Sequence, residues 1–387
     1  MEFIVYDSLE RKNMPNAEII LSERNPFDLT LKGVDKNFRL AIEEPTGFGR
    51  GTTKESQDLM RAMMTAHLLA PTMPENIYTN FDFHFSELLD AMYEYYGKKK
   101  PRIMKIGEGR VQPKIAGEAD PEQSLRVATS HSGGLDSVYR IAKLLENKET
   151  PLAVHLRNLN FKGNAWEAEA SREQCESWGV PYLQVKLRNS SGSTGFDTMK
   201  TRDLLLALVV AIQGAPNNVN QVLIEGGMGS DPRNYHFSES IEVWSWFNGL
   251  LKDIGLDVEV VGVDPGDIET IGEIIDLEKQ LGITILPMVQ NCFSAPFQMP
   301  NNRRKWERET PTIAQNSSDH WCGSCHKCRR MTLGRLFYHD PRLSGVSGEE
   351  RGYFVKDTYD WIRKYPHNAD LLSESFMTHL ELLGGIN

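Results

Sequence analysis

The stretch that most restricts the fold of this chain is Ser130-His131-Ser132-Gly133-Gly134-Leu135-Asp136-Ser137. Before it, Leu125 to Thr129 has the size and β-branching of a short buried strand. After it, Val138, Ile141, Ala142, Leu144 and Leu145 recur at helical spacing. Strand, glycine turn and helix start therefore follow one another directly. This order turns backbone N–H groups and the positive end of a helix toward one point, where an anion is held. The two glycines let the backbone approach that anion closely. Ser132 and Ser137 supply hydroxyl donors, and Asp136 can cap the helix or help hold a metal-bound phosphate. The bland alternative is an ordinary strand-to-helix turn with no ligand. A Walker A loop is not present, because its Lys-Ser/Thr ending is missing, and this disfavours kinase-like transfer of a γ-phosphoryl group.

Around the loop the chain alternates strand and helix. Leu152–Leu156 reads as a strand, Ala165–Trp178 as a helix, Tyr182–Leu187 as a strand and Lys200–Gln213 as a strongly apolar helix. Val222–Ile224 then leads into a glycine turn at Glu225–Ser230, followed by a helix at Phe237–Leu251, a strand at Val258–Val261 and a helix at Ile268–Leu281. Such alternation predicts an α/β fold, a doubly wound parallel sheet covered on both faces. In sheets of this kind ligands sit beyond the carboxyl ends of the strands, where the strand order switches. Both the Ser130–Ser137 loop and the turn from Gly226 to Arg233 are expected there.

Three sections follow from this pattern: an added N-terminal α+β region over 1–120, the loop-bearing domain over 121–338, and a tail over 339–387. In the first, Ile19–Leu21, Leu29, Leu31 and the alternating Phe38, Leu40, Ile42 suggest short strands. Leu59, Met63, Ala66 and Leu69 lie on one face of a helix that begins near Lys54, and a second helix with an aromatic stripe starts at Phe83. Such a stripe is core or a face that docks a partner. The tail carries Tyr353, Phe354, Tyr359 and Trp361 and could pack on the domain or on a second subunit, as in a homodimer.

The formal charge is −10 at pH 7, which repels nucleic-acid phosphates and sets nucleic acid aside as a partner. Lys98-Lys99-Lys100-Pro101-Arg102 is the one tight basic cluster, and it reads as a solvated loop. The N-terminus lacks the apolar core of a signal peptide, and the apolar run Leu204–Ile212 is too short to span a membrane. A cytoplasmic protein is the expectation.

Of five cysteines, Cys322, Cys325 and Cys328 form a C-x2-C-x2-C run, and Cys292 precedes them by a long insert. In a reducing compartment such thiolates converge on a metal, and a tetrahedral Zn²⁺ needs a fourth ligand. Cys292, read at the end of a strand, is the preferred fourth and His326 the substitute. An iron–sulfur cluster is the rival to zinc. Cys175, on the helix Ala165–Trp178, reads as a core or quiet residue. From Arg329 to Tyr338 a short helix follows the cysteines.

Ser-Gly-Gly-Leu-Asp-Ser resembles the PP-loop of the N-type ATP pyrophosphatases. That resemblance implies that ATP is attacked at its α-phosphorus, that AMP passes to the substrate, and that pyrophosphate leaves within the glycine loop. With the cysteines near the end of the domain, residues 124–338 resemble 7-cyano-7-deazaguanine synthase (QueC). Arg202-Asp203-Leu204-Leu205 is similar to that family's Arg-Asn-Leu helix start. The turn Gly226–Tyr235 stands where the family builds its substrate pocket. The resemblance implies an ATP-dependent carbon–nitrogen ligase with ATP, Mg²⁺ and Zn²⁺. Ser130, Ser132, Gly133, Gly134, Leu135, Asp136, Ser137, Arg202, Gly226, Asp231 and Arg233 would bind the nucleotide. Of these, Ser132, Asp136 and Ser137 would act in catalysis, and Cys292, Cys322, Cys325 and Cys328 would hold the metal.

The chain departs from the family in four places. Arg157–Lys162 replaces a Tyr-Gly-Gln-Arg-His segment, and acidic residues around Asp264 and Asp267 replace an expected lysine. The insert between Cys292 and Cys322 is far longer, and residues 1–120 have no counterpart. These changes suggest a new second substrate on conserved ATP chemistry. Enlarged QueC-like proteins of antiphage defence systems fit this description, with a 7-deazaguanine carboxylate joined to an amine of a protein acceptor. Two other readings stay open: housekeeping nitrile synthesis for queuosine or archaeosine (or related sulfur transfer to tRNA), and a catalytically idle nucleotide-binding subunit of an assembly.

Overall fold

The computed structural model describes residues 16–32, 37–43, 53–107, 125–159, 163–190, 199–226, 229, 236–263, 266–290, 300–319, 321–365 and 372–385. In chain order the elements are β1 (Asn16–Leu21), β2 (Asp28–Lys32), β3 (Phe38–Ile42), α1 (Lys54–Leu69), β4 (Asn76–Thr79), α2 (Ser86–Tyr95), β5 (Arg102–Lys105), β6 (Val127–Ser130), α3 (Leu135–Glu146), β7 (Leu152–Asn158), α4 (Gly163–Trp178) and β8 (Tyr182–Asn189). There follow α5 (Met199–Gly214), β9 (Gln221–Glu225), α6 (Ile241–Asp253), β10 (Glu259–Val263), α7 (Ile268–Leu281), α8 (Pro300–Glu309), α9 (Pro311–Gln315), α10 (His326–Phe337), α11 (Gly348–Lys364) and α12 (Glu374–Gly384). The fold is α/β, a mixed, mostly parallel sheet with flanking helices. The chain divides into two compact units. One comprises Met1–Ser130, Pro151–Ala165 and Pro181–Asp264, the other His131–Thr150, Trp166–Val180 and Pro265–Asn387.

Among the described residues all the strands belong to the first unit and form one sheet, in the order β10-β9-β6-β7-β8-β3-β2-β1-β4-β5. From β10 to β8 every neighbouring pair is parallel. The N-terminal strands continue this sheet: β3 lies antiparallel on β8, with Leu40 opposite Asn189 and Ile42 opposite Leu187. Pairing with β3 satisfies the backbone groups that β8 would otherwise present as an open edge. Leu40, Ala41 and Ile42 are fully buried. The two short strands β4 and β5 were not legible in the sequence; they extend the sheet in parallel from β1.

The chain runs β6, β7, β8 in one direction and then returns to place β9 and β10 on the other flank of β6. The order therefore switches between β6 and β9, whose pairing of Thr129 with Leu223 sets their carboxyl ends on one edge. Ser130 ends β6 and Gly226 follows β9 at this switch point.

Helix α5 is apolar all round because it is covered all round: it packs on β6, β7 and β9 and on α1. Leu204 to Ile212 is buried except for the partly covered Leu206. Helix α1 starts at the N-cap Thr53, whose hydroxyl accepts from Ser56 N at 3.1 Å. Its buried His67 bridges Thr201 Oγ1 at 3.1 Å and Asn189 Nδ2 at 3.3 Å, joining α1, α5 and β8. The helix read from Phe237 divides into a single 3-10 turn, Phe237–Glu239, and α6. The helix read from Phe83 starts at Ser86.

The second unit packs α3, α4, α7 and α8 to α12 around its own core, with Leu135, Val138, Ile271, Ile275, Trp321 and Leu336 inside. Helices α7 and α10 cross where Gly334 would place a Cβ only 2.5 Å from Ile271 Cδ1, so any side chain there forces them apart. The tail packs on this unit through Phe354, Val355, Phe376 and Leu380. The insert before Cys322 adds α8 and α9, whose Trp306, Ile313 and Ala314 join the same core.

The strand read before Cys292 is instead one 3-10 turn, Leu286–Met288. Pro287 breaks the ladder there, and the Ile285 and Leu286 amides donate to Glu278 Oε1 at 2.5 and 2.8 Å rather than to a neighbouring strand. Among the described residues no helix is long and apolar enough to cross a membrane.

Candidate functional site

The loop after β6 adopts a tight conformation that its residues explain. Gly133 has φ +76°, the left-handed region that glycine enters without strain. A Cβ there would also stand 3.1 Å from Ser171 Oγ. Gly134 is the N-cap of α3, so the first-turn amides of that helix have no partner within it. Ser132 Oγ accepts from Gly134 N at 3.3 Å and lies 3.4 Å from Ser137 Oγ. Ser137 Oγ donates to Gly134 O at 3.1 Å and meets His131 Nδ1 at 3.2 Å. Ser132 is exposed, while His131 and Ser137 are buried beneath it. The result is a hydroxyl pair beside helix-start amides, groups that can donate to negative charge.

Three clamps that the sequence did not reveal hold this loop. Asp136 Oδ1 accepts from Gly266 N at 2.6 Å, and Gly266 O accepts from Arg330 Nη1 at 2.9 Å. Gly133 O accepts from Gln290 N at 2.7 Å and from Gln174 Nε2 at 3.1 Å. His131 O accepts from Ser171 Oγ at 3.3 Å. Gln174, Gln290 and Arg330 lie 41 to 194 positions from the loop residues they reach directly or through Gly266, and no local periodicity points to them.

The other residues expected in the site divide between described and undescribed positions. In the first unit Arg202 pairs with Asp203 at 2.8 Å, and Ser238 Oγ donates to Asp203 Oδ2 at 3.3 Å. Burial alone would lower the Arg202 pKa, but Asp203, Glu225 and Glu239 outweigh it and hold the guanidinium firmly charged. Burial raises the Asp203 carboxyl, with Arg202 opposing it. Gly226 has φ +155°, and a Cβ there would fall 2.4 Å from Trp244 Cζ2, so the indole closes the end of β9 against any larger residue. Asp231, Arg233 and Cys292 lie outside the described residues.

Cys322, Cys325 and Cys328 are brought together, with their sulfurs all within 4.8 Å of one another. Cys322 Sγ and Cys328 Sγ are 4.0 Å apart, close to the separation of about 3.8 Å that two thiolates adopt on one tetrahedral ion. The Cys325 and Ser324 amides donate to Cys322 Sγ at 3.4 and 3.5 Å, and Cys328 N donates to Cys325 Sγ at 3.5 Å. These N–H···S contacts favour the thiolate form that a metal requires. They also start α10 at His326, earlier than the helical pattern from Arg329 suggested, because Cys325 is its N-cap. The described cysteines form no disulfide with one another. Burial, with neighbouring Lys327 and Arg330, lowers the His326 pKa to about 4, leaving a neutral ring beside the cluster. Cys175 is buried in α4, and burial pushes its thiol up to about 12, so it is inert.

The residues thus define two features, a glycine loop with paired hydroxyls beside helix-start amides and a cluster of three thiols able to bind a metal. No protein-family model and no curated protein matches the sequence. Among solved structures, the chain is similar to NMN synthetase from Francisella tularensis, with TM-score 0.27 and 10% identity over 68% of this chain and 84% of that one. It is also similar to the U34-tRNA thiolase NcsA from Methanococcus maripaludis with its 4Fe–4S cluster, with TM-score 0.28 and 14% identity over 50% of this chain and 70% of that one. At these scores neither likeness bears on substrate or reaction.

Proposed function

We propose that this chain is an ATP-dependent carbon–nitrogen ligase that adenylates a carboxylate, releases pyrophosphate and passes the activated acyl group to an amine. The observation that carries the reading is the loop after β6, where Gly133 in the left-handed region, the Ser132–Ser137 hydroxyl pair and the first-turn amides of α3 converge. Charge accumulates on pyrophosphate only as its bond to the α-phosphorus breaks. Fixed donors at that point therefore stabilise the transition state more than bound ATP. Bound Mg²⁺ would neutralise part of that charge, and Asp136, oriented by the Gly266 amide, is the carboxylate suited to hold it. The three clustered thiols, with Cys292 as fourth by sequence spacing, suit a structural Zn²⁺.

The likeness of Ser132–Ser137, Arg202–Leu205 and the cysteine run to 7-cyano-7-deazaguanine synthase supports a 7-deazaguanine carboxylate as the acid. The long N-terminal region supports a protein amine as acceptor, as in antiphage defence. Housekeeping nitrile synthesis and an idle nucleotide-binding subunit are the alternatives. Incubation with labelled ATP, Mg²⁺ and 7-carboxy-7-deazaguanine is expected to yield AMP and pyrophosphate. ADP and phosphate as products would overturn the mechanism. Elemental analysis is expected to find zinc at one ion per chain, and none in a Cys322→Ser, Cys325→Ser double variant. Iron in its place, or full occupancy in that variant, would contradict the assignment.

A further inference from the structure

We infer that the cysteine cluster is a clamp on the glycine loop, and that Trp321 and Arg330 are the positioning residues through which a bound metal sets the loop's affinity for an anion. The inference rests on the loop being an anion site. Two struts run from the two ends of the cluster. At its entry, Trp321 precedes Cys322, and its Nε1 donates to Val289 O at 2.7 Å. The next residue, Gln290, donates its amide to Gly133 O at 2.7 Å. At its exit, Arg330 follows Cys328 by two residues, and its Nη1 donates to Gly266 O at 2.9 Å. Gly266 N in turn donates to Asp136 Oδ1 at 2.6 Å. Each strut crosses one intermediate segment, and the two reach opposite ends of the loop, at Gly133 and at Asp136.

The cluster is the element that can exist in two conditions. Between Trp321 and Arg330 the chain is short in apolar side chains, and Gly323 has φ +74°. Trp321, Cys322 and Cys328 sit in the unit's core, and metal ligation adds direct cross-links between the sulfurs to that packing. With a metal bound, the spacing of Trp321 and Arg330 is set by covalent geometry. Without it, the two fully buried sulfurs at 4.0 Å keep only packing and the N–H···S contacts to hold that spacing. Both struts then loosen together.

Amide hydrogen exchange on the full chain, read by mass spectrometry, tests the coupling. Removing the metal with a chelator is expected to speed exchange across residues 131–138 about tenfold, the factor for roughly one net hydrogen bond, while 374–384 keeps its protection. Trp321→Phe and Arg330→Ala, with metal content checked by elemental analysis, are expected to speed the same segment with the metal still bound. Arg330→Lys keeps a donor for Gly266 O and is expected to restore most of the protection. Titration with inorganic pyrophosphate is expected to follow the same order, with Kd rising about tenfold for each lost strut. Unchanged exchange across 131–138 in both the metal-free protein and the metal-loaded Trp321→Phe, Arg330→Ala double variant would overturn the coupling. If the unaltered protein binds no pyrophosphate yet shows the expected exchange pattern, the coupling stands and the anion-site reading falls.

Discussion

Replacing Ser132 by alanine is expected to lower AMP formation by about 10²–10³-fold, the effect of losing one preorganised donor to developing charge, with Tm nearly unchanged. Ser132 is exposed, and its hydroxyl meets only Gly134 N and Ser137 Oγ within the loop. Little apolar burial is lost with it, so the effect belongs to the reaction. Asp136→Ala behaves differently, because it also releases the Gly266 amide held at 2.6 Å and so loosens the segment that Arg330 reaches. Rate measurements beside thermal melts separate the two variants. Full AMP formation by a well-folded Ser132→Ala protein would remove Ser132 from the chemistry, whereas no AMP formation by the unaltered protein would leave the idle assembly subunit standing.

The largest stability effect is expected from Asp340→Ala. Arg335 Nε lies 2.7 Å from Asp340 Oδ2, with both side chains 0% exposed. Arg342 joins Asp340 Oδ1 at 2.8 Å and Glu278 at 2.6 Å. Arg335 also donates to Ser317 Oγ and Asn316 O, tying α10 to the turn after α9. Removing the carboxylate leaves a buried guanidinium uncompensated, at a cost of about 3–5 kcal/mol, measurable by denaturant unfolding. The same group makes stability fall in acid. Burial alone would raise the Asp340 pKa, but Arg342 and Arg335 outweigh it and hold the carboxyl below its usual range. Its contribution is complete above the unfolded value near pH 4 and is lost as pH falls through the lower folded value. Asp357, where burial is likewise outweighed by Lys305 and Arg329, adds to the same acid loss. An Asp340→Asn variant should show a flatter decline of unfolding free energy between neutral and acid pH, and an unaltered slope would refute the assignment.

The sequence alone determined the parts whose signal is local. Ser130–Ser137 announced its strand, turn and helix because β-branching, paired glycines and 3.6-residue periodicity act over a few neighbouring residues. The run Cys322, Cys325, Cys328 announced a thiol cluster able to bind a metal because its spacing alone brings three sulfurs together. The all-round apolar Leu204–Ile212 announced a buried helix, although not what covers it. Pairing between distant segments was decided only in the tertiary structure. That β3 would close the edge of β8 and that Leu286–Met288 would turn instead of extending depended on partners far away in the chain. The same holds for the clamps on the loop. Gln174, Gln290, Trp321 and Arg330 have ordinary local contexts, and each acquires its role from directional hydrogen bonds to backbone atoms. The carbonyls they reach, Gly133 O, Val289 O and Gly266 O, are present at every residue and carry no mark in the sequence. Hydrophobic period and ligand spacing are written in side-chain type, whereas backbone acceptors become distinct only when the fold brings a donor to them.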